Sequence, residues 1–457
     1  MMIILLVFSI VSIDSIFNRP DLIPAHAGMY VLNLENDSVV YAYNSQKLLI
    51  PASNMKIITS AAALYLLNPH YHYTTRLAVR GEVEGSTLRG DVVVYGGGDP
   101  QLSLESLQKF ASTLSSIGIK EITGDIILVD DYFVDERLPM GWSRHYFDAR
   151  YAPEISALSV NHNCVNVKIE ATTIGDYAKV TIEPKTEYVT LINKMITLAG
   201  DDSIIIYRTE EENVIYVDGG IGEGRKRNID VALKDPAMFA GTYFKENIHE
   251  ANIRFNGNII KKNNSDLANV VTIIDSVISD PLLNIIKETN IESDNLSAEI
   301  LLKTLGTHYY YDGSFLSGLS KVRQFLRLCG VDTSVVSVWD GSGLSRHNLI
   351  SPYYLALVLR FMYHSHFYED FYELFPSPGD GTLETRFADF MYPIRAKTGT
   401  LHAVSCLSGY VRIQETDYCF SIMFNNFTCR RKKIEQMQEE ILSALGIYLS
   451  GKNKSIE

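Results

Sequence analysis

The chain is poor in cysteine and tryptophan, with five and two respectively in 457 residues. Cys164, Cys329, Cys406, Cys419 and Cys429 stand far apart with no CxxC pair or Cys/His cluster, which excludes a disulfide scaffold and a zinc site. They read as isolated thiols, and the two tryptophans, Trp142 and Trp339, as packing residues. A dense Lys/Arg block is also missing. With 41 basic and 54 acidic side chains the net charge is −13, so the average field repels phosphate and nucleic acid is excluded as a partner. There is no internal repeat or low-complexity tract. No apolar run is long enough to cross a bilayer, because residues 1–13 are nearly all apolar but fall short of ~20 helical residues. That run suits the apolar part of an export signal, and residues 1–17 are expected to be a signal segment.

What is present describes a globular protein: 46% hydrophobic and 21% charged residues, ordinary usage for a chain able to bury a core. Residues 28–43 alternate apolar and polar positions around a Glu35-Asn36-Asp37-Ser38 turn and predict a β-hairpin. Residues 52–67 predict a buried helix, with Pro51 before it and Asn68-Pro69 after it. From about 73 to 272 the texture becomes short alternating strands, interrupted by helices over 102–117 and 236–248. Helices are expected again over 295–305, 322–328 and 352–363. Strands follow over 403–413 and 418–424, and a charged helix over 432–445.

Three short motifs carry the chemistry. Ser53-Asn54-Met55-Lys56 places a hydroxyl and an amine one helical turn apart on one face. A serine hydroxyl becomes a nucleophile only beside a base, and lysine serves only if burial or nearby positive charge lowers its proton affinity. The positive end of the helix adds to that field. Alone, this pair reads first as a helix cap followed by a solvated lysine. Ser293-Asp294-Asn295 stands at the start of another helix, where Ser293 taken alone is an N-cap, and Lys397-Thr398-Gly399 leads into a strand. In this order the three form a serine acyl-transfer signature.

The longer segments around these motifs resemble the low-molecular-mass class C penicillin-binding proteins, a family of serine D-Ala-D-Ala carboxypeptidases and endopeptidases. Pro51-Ala52-Ser53-Asn54-Met55-Lys56, Ser293 through Glu299 and Ala396 through Leu401 carry the resemblance. So do Gly97-Gly98-Asp99-Pro100, Ser156 through Asn161, Trp339 through Leu344 and Gly379 through Leu383. It implies an α+β penicillin-binding transpeptidase/β-lactamase-like domain, an antiparallel sheet flanked by helices, with a large β-rich insertion. The catalytic domain is expected over 24–75 and 280–450 and the insertion over 76–279, with parts of 96–133 free to pack against the catalytic domain.

The resemblance also implies roles. Ser53 would accept the acyl group, Lys56 would be its base, Ser293 would relay the proton and Asn295 would position Lys56 and the substrate amide. Lys397 would supply positive charge, with Thr398, Gly399 and Thr400 binding the substrate carboxylate end. The backbone N–H groups of Ser53 and Thr400 would form the oxyanion hole. In this family an acidic residue contacts the stem side chain, and Asp148 is the candidate here. The implied substrates are peptidoglycan stem peptides, with β-lactams as covalent inhibitors and no cofactor or metal. An exported, periplasmic or cell-envelope location is expected, with peripheral membrane association and oligomeric state left open.

Two alternatives share this scaffold. A β-lactamase or esterase would need a deacylating glutamate between the second and third motifs, where Glu373 and Glu384 lie outside any recognisable loop motif. A binding sensor would acylate once without turnover.

Overall fold

The computed structural model describes residues 13–267 and 271–453. Its centre is a five-stranded antiparallel sheet in the order Ile394–Leu401, Val404–Ile413, Thr416–Asn425, His26–Asn33, Val39–Tyr43. The last strands of the chain therefore pair with the first, His26 opposite Asn425 and Asn33 opposite Tyr418. The expected hairpin is present, but His26–Asn33 is apolar on both faces rather than one. Met29 and Val31 pack toward the C-terminal helix Arg431–Asn453, and Tyr30 and Leu32 toward the helices on the other face. A strand covered on both sides loses its polar alternation.

Most of the expected signal segment, residues 1–12, lies outside the described residues. Residues 13–17 form a helical turn, with Ile13, Ile16 and Phe17 buried in the core under the C-terminal helix. Tyr41 donates to Asp14 at 2.6 Å.

Helix Met55–Leu67 is buried nearly all round, as expected of a helix lacking a polar face. Ala61, Ala62 and Ala63 let neighbours approach closely, and the helix packs against Leu282–Ile291, Asn295–Tyr310, Phe315–Leu328 and Pro352–Tyr363. The helix Leu282–Ile291 was not foreseen, and Phe315–Leu328 begins a full two turns before the expected 322.

The long segment between these halves is β-rich, but it is not purely antiparallel. Its seven-stranded sheet contains Thr74–Glu84, Thr87–Tyr95 and Thr272–Ile278, with Ile126–Val129 parallel to both Thr87–Tyr95 and Ile259–Lys261. Helices Leu104–Ser116 and Pro236–Glu250 supply the crossovers that parallel pairing requires. A three-stranded and a four-stranded sheet follow over residues 164–232. The entering strand, Thr74–Glu84, and the returning strand, Thr272–Ile278, are antiparallel neighbours, and Ser279 N–H donates to Tyr73 O at 3.0 Å. Residues around 133–157 turn back toward the first motif, and Phe133, Ile155 and Ala157 share the core of Met55 and Leu296.

Candidate active site

Ser53 sits on a single 3-10 turn, Ala52–Asn54, that runs directly into helix Met55–Leu67. Ala52 is held at φ +48°, a conformation that disfavours side chains and persists only where the surroundings enforce it. Gly343, itself at φ +88°, is part of that enforcement, since a Cβ there would stand 1.8 Å from Ala52 O. Ser53 is half-buried, whereas Asn54 is fully buried, donating from Nδ2 to Lys397 O at 2.9 Å and accepting from Ser408 Oγ at 2.7 Å. The residue next to the serine thus ties its turn to the third-motif strand.

Lys56 is completely buried. Its Nζ lies 3.2 Å from Ser53 Oγ, 2.5 Å from Asn295 Oδ1 and 2.9 Å from Ser342 O. Burial lowers its pKa to about 8, and the carboxylates of Asp294, Asp340 and Glu299 keep it from falling further. The side chain can therefore shed its proton near neutrality and accept one from the hydroxyl it touches.

The cap of helix Asn295–Tyr310 is Asp294 rather than Ser293: its Oδ2 accepts from Ser297 N–H at 2.7 Å. Ser293 is left outside the helix at φ +59°, half-buried. Asn295 bridges two regions, accepting from Lys56 and donating from Nδ2 to the carbonyl of Tyr151 at 2.7 Å.

Lys397 lies on the edge strand Ile394–Leu401, fully buried, donating from Nζ to Thr398 O at 3.1 Å. Burial, and next the charge of Lys56, hold its pKa well below the usual lysine range. Gly399 is required by proximity, because a Cβ there would meet Pro51 O at 2.6 Å and Ser53 N at 3.1 Å. The strand consequently lies against the serine turn, with Thr398 half-buried and Thr400 exposed beyond it. Ser53, Lys56, Asn295 and Lys397 form one contiguous group, with Ser293 two residues before Asn295 in the chain.

Asp148 is not among that group's hydrogen-bond partners. Its Oδ2 accepts the backbone N–H of Arg208 at 3.2 Å, and its own carbonyl accepts from Ala232. The same loop does reach the site at Tyr151 O and at Trp142, whose Nε1 donates to Asp340 at 3.0 Å. Trp339 Nε1 stays local, donating to Ser337 Oγ at 2.6 Å. All five cysteines are free thiols, four of them buried.

Sequence reasoning missed two site residues. Glu299, one turn after Asn295 on the same helix face, accepts the N–H groups of Gly341 and Ser342 at 2.8 to 3.1 Å. Asp340 accepts from Gly343 N, Ser345 N, Asn348 Nδ2 and Trp142. Both lie inside quoted motifs, and for Glu299 the available signal was its spacing four residues after Asn295 on one helix face.

Known proteins resemble the chain along most of its length. The D-Ala-D-Ala carboxypeptidase 3 (S13) family matches residues 10–445. The D-alanyl-D-alanine carboxypeptidase of Actinomadura sp. strain R39 is 30% identical over 440 residues, covering 90% of this chain and 80% of that protein. The carboxypeptidase DacB of Haemophilus influenzae is 24% identical over 401 residues, covering 85% of this chain and 82% of its own. The crystal structure of penicillin binding protein 4 (dacB) from Haemophilus influenzae superposes with a TM-score of 0.83 at 22% identity, covering 96% of this chain and 98% of that one.

Proposed function

The chain belongs to the D-Ala-D-Ala carboxypeptidase 3 (S13) family and is a serine-type D-Ala-D-Ala carboxypeptidase; from that premise we propose that Ser53 carries the reaction as an acyl-enzyme. The observation behind this reading is the buried Lys56 side-chain nitrogen held between Ser53 Oγ and Asn295 Oδ1. Neutral Lys56 takes the Ser53 proton as Oγ attacks the carbonyl of the penultimate D-alanine of a peptidoglycan stem. Ser293 passes a proton to the leaving amine, and the terminal D-alanine departs. Water then hydrolyses the ester.

The N–H groups of Ser53 and Thr400 receive the developing oxyanion; the close approach of Gly399 to Ser53 N supports this pairing. Each such donor is worth about 3 kcal/mol. Lys397, with Thr398 and Thr400, holds the substrate carboxylate; among the described residues no carboxylate is paired with its ammonium. The same steps with a larger leaving group cleave D-alanyl cross-links, so endopeptidase activity is part of the proposal. A β-lactam acylates Ser53 and leaves slowly. The family's substrate supports a cell-envelope location; among the described residues no helix is long and apolar enough to cross a membrane.

Intact-mass measurement after incubation with a penicillin, on the native chain and on Ser53→Ala, tests the assignment, together with D-alanine release from a pentapeptide muropeptide and cleavage of a cross-linked dimer. The expected result is a stable adduct and D-alanine release, both lost in Ser53→Ala. An adduct on the variant overturns the role of Ser53, an adduct without turnover favours a sensor, and an adduct that vanishes quickly favours a β-lactamase.

A further inference from the structure

Two carboxylates buried to zero exposure, Glu299 and Asp340, have no place in the reaction just described. Burying a carboxylate is costly unless it is paired or saturated with donors. Both meet several donors, mostly from one short turn and the residues just after it, with Trp142 Nε1 adding a donor to Asp340. Glu299 accepts from Gly341 N and Ser342 N, and Asp340 from Gly343 N, Ser345 N and Asn348 Nδ2. The carbonyls of that turn point the other way, toward helix Met55–Leu67. Ser342 O accepts from Lys56 Nζ at 2.9 Å and Gly341 O from Thr59 Oγ1 at 2.7 Å. The turn is thus clamped by carboxylates on its N–H side and presents its carbonyls to the lysine. Its Gly343 also presses on Ala52 O beside Ser53.

We propose that Glu299 and Asp340 are positioning residues for Lys56, clamping the Gly341–Gly343 turn so that the Ser342 carbonyl holds the amine beside Ser53, and supplying the negative charge that the buried amine faces. This rests on Lys56 being the base. The charged groups around Lys56 come from every packed element: Asp294 and Glu299 from helix Asn295–Tyr310 and its cap, Asp340 from the turn, and Lys397 from the edge strand. Asp294 is itself faced by His162, whose Nδ1 stands 3.8 Å from its Oδ1. Burial and then Asp340 push Glu299 upward while the backbone donors oppose this. Each of its two oxygens meets a backbone N–H, an arrangement that suits the ionised form.

The test is the pH dependence of penicillin acylation. Protonated Lys56 cannot accept the Ser53 proton, so the rate of the native enzyme rises as pH passes upward through about 8. Removing a facing negative charge destabilises the ammonium, so Glu299→Gln moves this rise to lower pH by about one unit. Glu299→Asp keeps the charge but shortens the reach; its rise stays in place and the rate drops roughly tenfold at every pH. A rise that stays put in Glu299→Gln, or a Glu299→Asp rate equal to the native one, overturns the proposal. Should Glu299→Gln not fold, Asp340→Asn, which keeps one acceptor oxygen for either Gly343 or Ser345, is read by the same shift. Native-like acylation in Lys56→Ala would instead overturn the assignment of Lys56, a separate outcome.

Discussion

The two halves of this molecule bury charge for different ends. In the insertion the buried cation is Arg208, 1% exposed, and its guanidinium donates to the backbone carbonyls of Ala232, Thr209 and Phe147, each at 2.8 Å. With a fourth, longer bond to Glu212 O, its hydrogen bonds all go to main chain and staple these segments together. Around Ser53 the partners differ: Lys56 donates to the Ser53 hydroxyl, the Asn295 amide oxygen and the Ser342 carbonyl, Lys397 donates to the Thr398 carbonyl, and burial lowers the proton affinity of both. Buried charge bound only to main chain is scaffold; buried charge held against a hydroxyl and lowered in proton affinity is suited to chemistry.

Four changes would break or sharpen that contrast. Ser53→Ala should abolish the penicillin adduct and reduce D-alanine release by at least about 10³-fold, measured by mass and by released amino acid. Gly343→Ala, which forces a Cβ against Ala52 O at a left-handed φ, should lower the acylation rate roughly 100-fold by shifting the serine turn. Arg208→Ala should lower unfolding free energy by about 3 kcal/mol in a denaturant titration, because buried carbonyls lose their donor. Its acylation rate, measured on folded protein, should stay within about threefold of native; a larger fall would mean the guanidinium also serves the site. Last, Lys226→Ala removes an exposed partner of Glu170, 2.6 Å away, and should leave the melting temperature unchanged.

Much of the catalytic architecture was legible because its signals are local. The hairpin, the helix after Pro51 and the final strands follow from periodicity and punctuation within a dozen residues. The three motifs were readable for the same reason: each is a triplet or quartet with its own chemistry. What escaped depends on distant pairing. The parallel contact of Ile126–Val129 with both Thr87–Tyr95 and Ile259–Lys261 joins segments with no sequence relation. Glu299 and Asp340 were present as letters, but their meaning lies in each other and in the turn between them. The N-cap also shifted by one, to Asp294, because Ser293 is bent to φ +59° by its surroundings rather than by its own preference.

The adjacency of Tyr73 and Ser279 bears on how such a chain could have been assembled. An insertion whose two ends leave from one point strains its host little more than a short surface loop would, since the chain is already closed at that point. A direct splice of Tyr73 to Ser279 would preserve the host's connectivity, yet it would delete the Tyr151 carbonyl that orients Asn295 and the Trp142 indole that caps Asp340. The segment between Tyr73 and Ser279 is topologically removable, but its contacts tie it to the site it surrounds.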